Sequence, residues 1–332
     1  MPEDALGHRA LCRADADADS YVNVDADADA DADTDTDTAT KTRRCCKSDL
    51  GIACLQCAEP PHNPPMSDLQ ANEVLPRLLL IDGLNLVRRI YEANGEPEST
   101  EKVELAMRNS IASLRRALDE HRPSHALAAF DYGGPTWRHA LYPRYREKRA
   151  PMPVILREAL PELYRQIDAQ LGICCVSIAD VEADDVIAAV ALRWQARALG
   201  PAIILSTDKD LCQLLQHGCL VRDHFKPEWR DAAWVERRFG VPIAALGDWL
   251  ALAGDDSDDI PGVRGIGPKA ATRLLQAYGD LDRVLREGGA LQGAEARRLR
   301  EQSAQARLSR QLVELKTDVA IGLTWNALKL SA

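Results

Sequence analysis

Arg77-Leu78-Leu79-Leu80-Ile81-Asp82-Gly83-Leu84-Asn85 is a short apolar run closed by an acid and a glycine, the pattern of a parallel strand buried on both faces. The pattern recurs. Ala126-Leu127-Ala128-Ala129-Phe130-Asp131 is a second strand ending in an acid, Ile173-Cys174-Cys175-Val176-Ser177 a third, and Ala202-Ile203-Ile204-Leu205-Ser206 a fourth that leads into Thr207-Asp208-Lys209-Asp210. Helical spacing fills the gaps over 102–119 (Val103, Leu105, Ala106, Ile111, Leu114, Leu118), about 154–171, and 186–199, which Glu182-Ala183-Asp184-Asp185 opens. Strands alternating with helices predict an α/β fold, with a mainly parallel central sheet and helices on both faces.

Ligands of such sheets bind at the carboxyl ends of the strands, and Asp82, Asp131, Asp208 and Asp210 all fall there. Taken singly, each acid reads as an N-cap or turn residue. Their convergence on one edge is harder to read that way. Glu182 and Asp185, three apart, project together near a helix N-terminus whose partial positive charge lessens their repulsion. No His or Cys accompanies these acids. Oxygen-only ligation selects Mg²⁺ or Mn²⁺ over Zn²⁺, and two such ions suit phosphodiester hydrolysis by clamping attacking and leaving oxygens.

A second informative stretch runs Gly254-Asp255-Asp256-Ser257-Asp258-Asp259-Ile260-Pro261-Gly262-Val263-Arg264-Gly265-Ile266-Gly267-Pro268-Lys269. Four carboxylates in five residues repel one another unless solvent or a hard cation offsets the repulsion. The glycines then leave backbone N–H groups bare in a tight turn and Pro268 opens an amphipathic helix, an arrangement that cradles phosphate and holds a nucleic-acid backbone without reading bases. Such clusters are most often plain solvated loops. Here the acids abut the turn, and further acids lie upstream. Between Asp131 and Glu182, the stretch 137–153 (Trp-Arg-His-Ala-Leu-Tyr-Pro-Arg-Tyr-Arg-Glu-Lys-Arg-Ala-Pro-Met-Pro) interleaves cations with aromatics. That is either a solvated charged helix or a surface on which bases stack while phosphates are neutralised.

The chain has 332 residues, enough for one large or two small domains, and a formal charge of −10. That charge is uneven. Residues 1–65 carry 14 acidic and 6 basic side chains, so the remainder is only −2, and it becomes net basic once acids assigned to metal are set aside. Residues 13–40 are largely Ala-Asp and Asp-Thr repeats with too little apolar surface to order themselves, and Met66-Ser67-Asp68 reads like a protein start. Residues 1–65 are therefore expected to contribute nothing to catalysis. Cys45-Cys46 with Cys54-x-x-Cys57 fits a closed zinc site poorly, whereas Cys174, Cys175, Cys212 and Cys219 read as small core residues. No secretory segment and no membrane-length apolar run is seen, so a cytoplasmic location is expected.

These residues resemble the 5′-nuclease family, the group containing flap endonucleases and the 5′→3′ exonuclease domain of bacterial DNA polymerase I. The resemblance runs from about Leu78 to Leu275. It rests on Leu80-Ile81-Asp82-Gly83, Phe130-Asp131, Trp137-Arg138-His139 with Tyr145 and Arg149, Glu182-Ala183-Asp184-Asp185, Ser206-Thr207-Asp208-Lys209-Asp210, Gly254-Asp255-Asp256-Ser257-Asp258 and the glycine turn. No polymerase follows, and Arg222-Asp223-His224-Phe225 with Trp229 is similar to the stand-alone exonuclease IX branch. The resemblance implies a first metal near Asp82, Asp131, Glu182 and Asp184, and a second near Asp185, Asp208, Asp210, Asp255 and Asp258. It also implies a helical arch over 137–153 and a helix–three-turn–helix over 262–275 that holds duplex DNA and, in relatives, K⁺. Two features depart from relatives. Tyr145-Arg146 stands where polymerase-type arches have Tyr-Lys, and the second-site acids that exonuclease IX-type relatives can lack are present.

The expectation is a Mg²⁺-dependent structure-specific 5′ nuclease, with two ions and Mn²⁺ able to substitute, acting as a monomer on DNA with a 5′ end, flap or nick. Arg146 and Arg149 steer the scissile phosphate and Tyr145 offers a stacking face. DNA is held by Arg138, Arg144 and Lys148, by the turn (Gly262, Val263, Gly265, Ile266, Gly267) and by Lys269. The expected domains are a tail over 1–65, a catalytic domain over 66–240 and a DNA-binding region with C-terminal helices over 241–332. The alternatives are a PIN-type metal-dependent RNase, which would not need the glycine-rich clamp, and a DNA-junction binder without turnover.

Overall fold

A computed structural model describes residues 75–331. The expectations for residues 1–65, including Cys45, Cys46, Cys54 and Cys57, lie outside the described residues. The strands are β1 (Leu78–Asp82), β2 (His125–Ala129), β3 (Cys174–Val176), β4 (Ala202–Leu205), β5 (Leu220–Asp223) and β6 (Glu228–Arg230), in the order β3-β2-β1-β4-β5-β6. β1 pairs in parallel with both β2 and β4, and only β6 is antiparallel. The first four strands match the apolar runs of the sequence. β5 and β6 have no such run, because Arg222 and Asp223 interrupt β5 and Glu228 and Arg230 flank Trp229 in β6, with Asp223 and Arg230 buried as a pair 3.4 Å apart.

Alternation along the strands divides the core between the two faces. Leu79, Ile81, Ala126, Ala128, Ile203 and Leu205 face α1 (Gly83–Ala93), α2 (Thr100–His121) and α4 (Val154–Leu171), whereas the short α3 (Trp137–Leu141) stands apart. Leu78, Leu80, Leu127, Ala129, Ala202 and Ile204 face α5 (Ala183–Ala196), whose Val186, Ile187, Val190 and Trp194 are all buried. Cys174, Cys175, Cys212 and Cys219 are buried, as expected. No helix among the described residues is long and apolar enough to cross a membrane.

Beyond α6 (Ala232–Phe239) the chain is helical: α7 (Leu246–Ala253), α8 (Pro268–Tyr278), α9 (Leu281–Arg283), α10 (Ala294–Glu301), α11 (Ser303–Val313) and α12 (Trp325–Leu328). Buried Asp248 on α7 fastens this group, accepting Leu281 N at 2.9 Å and pairing with Arg310 of α11. Trp249 Nε1 donates to Thr272 Oγ1 of α8 at 2.9 Å, and that hydroxyl donates onward to Phe239 O at 2.6 Å.

Candidate metal centre and nucleic-acid interface

The strand order reverses direction between β1 and β4, and a crevice opens beyond their carboxyl ends. Asp82 closes β1 and caps α1, its Oδ1 accepting Asn85 N at 3.2 Å and its Oδ2 accepting Ser206 Oγ at 2.7 Å. A Cβ on Gly83 would stand 2.4 Å from the Phe130 ring, so only glycine lets α1 start there. Asp131 accepts Ala183 N at 2.8 Å, which draws the start of α5, and Asp184 with it, to the same edge. Asp208 follows β4, and its Oδ1 accepts Asp210 N at 2.9 Å. Asp82, Asp131, Asp184 and Asp208 line one cleft of about 330 Å³ with Arg146 and Arg149.

This cleft is electrostatically unbalanced. Burial pushes the Asp82 carboxyl up to about 7 despite the opposing Ser206 bond, with Asp131 and Asp208 adding to the rise. Burial, then the charges of Asp208, Asp82 and Asp131, pushes Asp184 well above the usual carboxylate range. Full ionisation requires added positive charge, and the oxygen donors present fit a hard divalent cation.

A second group lies beside it. Asp210, Asp255 and Asp258 each place a carboxylate oxygen within 4.8 Å of the others. Asp210 Oδ1 is buried with no hydrogen-bond partner among the described residues, a ligand atom aimed into the cluster that a divalent cation would satisfy. Burial, then Asp208, raises Asp210 well above its ordinary range. Asp255 goes the other way: burial works to raise it, but the charge and hydrogen bond of Lys209 and the Ser257 contacts bring it below. The turn carrying two of these acids is closed by reciprocal backbone bonds between Asp255 and Ile260, at 2.9 and 2.8 Å.

Four expectations need correction or refinement. Asp185 is not turned to the cleft: its oxygens accept Arg138 Nη1 and Nη2 at 2.8 and 2.9 Å, Trp137 Nε1 at 2.8 Å and Lys316 N at 2.9 Å, which fills its acceptor positions. Arg138 is not a DNA contact. It is 3% exposed, and besides Asp185 it donates to Leu312 O and Glu314 O at the end of α11. Tyr145 offers no stacking face, being 3% exposed with its hydroxyl donating to Glu182 Oε2 at 3.0 Å, and burial pushes that phenol far up. Glu182 accepts Thr136 Oγ1 at 2.7 Å and pairs with Arg146 Nη1 at 3.0 Å, so it meets the cleft acids through a guanidinium. That guanidinium also lies 2.8 Å from Asp258 Oδ1 and 3.8 Å from Asp131 Oδ2.

In the segment 137–153 only the five residues of α3 are helical, and turns follow. Arg144, Lys148 and Arg149 are exposed, Arg144 pairing with Glu147 at 3.0 Å and Lys148 with Asp259 at 2.6 Å. In the glycine turn, Gly262 has φ +58 and a Cβ there would meet Gly254 N at 2.5 Å. Its own N–H donates to Ser309 Oγ at 3.1 Å, and Val263 N and Ile266 N are taken by Leu252 O and Val263 O. The amides of Gly265 and Gly267 have no partner among the described residues. Val263 and Ile266 point into the core, while Lys269 is exposed in the first turn of α8.

Sequence reasoning missed Lys209, Arg88 and Arg89. Lys209 Nζ pairs with Asp255 Oδ2 at 2.5 Å, and Arg88 and Arg89 line the acid cleft from α1. The signal was there in both cases, a lysine between two strand-end acids and an Arg-Arg pair two turns after Asp82. Gln302, which grips Arg264 through N (2.8 Å) and O (3.2 Å), and Ser309 gave none.

Comparison with known proteins agrees with this geometry. The 5′-3′ exonuclease N-terminal resolvase-like domain matches residues 77–240 and the 5′-3′ exonuclease C-terminal SAM fold matches 241–332. The flap endonuclease Xni of Aeromonas hydrophila is 41% identical over 252 residues, covering 74% of this chain and 93% of that protein. Its counterpart in Psychromonas ingrahamii is 36% identical over 254 residues, covering 76% and 96%. A solved structure of T5 5′-exonuclease with bound zinc shares the fold, with a TM-score of 0.61 at 20% identity over 73% of this chain and 90% of that one. With both domains matched in order and relatives alike over most of their length, the chain belongs to the 5′-3′ exonuclease family.

Proposed function

We propose that this chain is a structure-specific 5′ nuclease, a 5′→3′ exonuclease and flap endonuclease that hydrolyses DNA phosphodiesters at single-strand/duplex junctions and depends on divalent metal. The observation that carries this reading is the delivery of seven carboxylates, from segments far apart in the chain, to one sheet edge. Asp82, Asp131, Asp184 and Asp208 would hold one ion, and Asp210, Asp255 and Asp258 another. Mg²⁺ is the ion of choice for an all-oxygen set, with Mn²⁺ a substitute. Bound there, the ions supply Lewis-acid stabilisation of the attacking and leaving oxygens.

The chain's own residues do the rest. Arg149, exposed at the cleft mouth, meets the incoming phosphate, and Arg146 turns from the acids to the developing charge. Arg144 and Lys148 neutralise the strand, and the free amides of Gly265 and Gly267 with Lys269 hold the duplex away from the cut, where K⁺ is a further candidate ligand. The catalytic domain spans 66–240 and the DNA-binding region 241–332, and the chain acts as a cytoplasmic monomer on DNA with a 5′ end, flap or nick.

The test is Asp210→Asn, which keeps the shape and removes one charge. Single-turnover cleavage in saturating Mg²⁺ falls by orders of magnitude, while flap binding in Ca²⁺ stays unchanged or tightens. Wild-type cleavage in the variant sinks the two-ion assignment. A labelled set of flap, nicked, blunt and RNA substrates separates this reading from a PIN-type RNase, which would favour RNA.

A further inference from the structure

The two acid groups are neutralised differently. In the cleft of Asp82, Asp131, Asp184 and Asp208, the one ion pair among the described residues is the long contact of Arg146 Nη1 with Asp131 Oδ2, at 3.8 Å. In the neighbouring cluster every acid has a cation. Lys209 Nζ is 2.5 Å from Asp255 Oδ2 and 3.7 Å from Asp210 Oδ1, and Arg146 Nε is 2.8 Å from Asp258 Oδ1. The 3.7 Å separation is too long for a hydrogen bond, so Asp210 Oδ1 stays without a donor although a charge faces it. Lys209 therefore stands where a cation shared by Asp210 and Asp255 belongs, without completing the coordination a metal would give.

We propose that Lys209 is the internal counter-cation of the Asp210–Asp255–Asp258 cluster, so that a divalent ion enters this cluster only by displacing the ammonium, and the open cleft fills first. The proposal rests on the metal assignment above. Lys209 is thereby an affinity-determining residue for the second ion, acting through the two carboxylates it holds. The competition follows from charge. An ammonium and a divalent ion cannot both sit within contact distance of the same two oxygens in a half-buried site, and the flexible lysine stem lets the ammonium leave toward solvent. Lysine suits the task because it binds as a single point charge, whereas an arginine fork would lock both acids in fixed geometry.

Mn²⁺ binding to the full chain, followed by loss of the free-ion paramagnetic resonance signal without DNA, reads this directly. Wild type binds two ions, one tight and one weak. Lys209→Met tightens the weak class by about tenfold or more, Lys209→Arg leaves it weak, and Asp255→Asn abolishes it. The thermal midpoint gives an independent reading. Without metal, Lys209→Met melts below wild type because Asp210 and Asp255 face each other uncompensated, and Mn²⁺ raises its midpoint more than it raises that of wild type. A lysine that merely packed would lower the midpoint equally with and without Mn²⁺. An unchanged or weaker second class in Lys209→Met overturns the counter-cation role. A second class that persists in Asp255→Asn overturns the metal assignment instead.

Discussion

Asp184 and Asp185 are neighbours in the first turn of α5, yet they serve opposite sides of the molecule. Asp184 faces the cleft, where burial and three other acids push its pKa far up against the opposing charge of Arg146. Asp185 faces the core, where one guanidinium, one indole and one backbone amide saturate it. On the reading proposed above, metal satisfies the cleft side, while the core side is closed and ties the start of segment 137–153 to the end of α11. On that reading activity and stability rest on adjacent residues, and substitutions there should separate them.

Asp184→Asn should give the largest effect. Single-turnover cleavage in Mg²⁺ falls about a thousand-fold, roughly 4 kcal/mol of barrier. At the same time the metal-free protein melts higher, because a buried repulsion is gone. A variant that cuts at the wild-type rate would remove Asp184 from the site.

On the core side the signs reverse. Arg138→Met leaves Asp185 buried and unpaired, and urea unfolding should show a loss of about 3–5 kcal/mol. Asp185→Asn destabilises in the same sense and leaves the number of bound Mn²⁺ ions unchanged. Loss of one ion in that variant would return Asp185 to the metal ligands. Combining Arg138→Met with Asp185→Leu, which removes both charges, should recover about 1 kcal/mol or more of the single-variant loss.

A smaller effect tests the turn. Lys269→Glu weakens duplex binding to a similar degree for every sequence, and the slope of log affinity against log salt drops by about 1, because a phosphate contact carries no base information. Sequence-selective loss would instead place Lys269 in a groove.

The smallest concerns pH, away from the metal edge. His121 is buried with Nε2 unpartnered among the described residues, and burial brings its pKa down to about 4, with Glu120 opposing and Arg222, His224 and Arg77 assisting. Because the folded value lies below the unfolded one, the unfolded chain takes up the proton first as pH falls. The neutral ring's contribution to stability is therefore full above about 6.5 and is lost as pH falls toward about 4. Urea unfolding of wild type and His121→Gln should converge as pH drops through that window. Parallel curves would show that His121 does not titrate there.

The sheet was legible in the sequence wherever a strand is buried on both faces, since an unbroken apolar run ending in an acid admits little else. The β5–β6 hairpin was not, because its charges are satisfied by a buried cross-strand pair, Arg230 with Asp223, that no apolar run announces. The glycine turn was visible as a motif. Which of its amides remain open depends on Ser309 and Gln302, forty or so residues downstream.

The sequence by itself determined that acids would collect at the carboxyl edge of a parallel sheet, that oxygen would be the only donor type, and that Glu182 and Asp185 would project together. They do project together, onto Arg138. Only the tertiary structure decided that this shared direction is the core and that Asp184 takes the cleft. The reason lies in α5 itself: Val186 to Ala191 are all buried, so the helix has no polar stripe and its periodicity cannot say which side of its first turn looks outward. The same holds for Lys209, Arg138 and Tyr145. A charge or a hydroxyl in a sequence announces what it can bind, but its partner is chosen by chain segments that meet only when the sheet and the C-terminal helices close on one another.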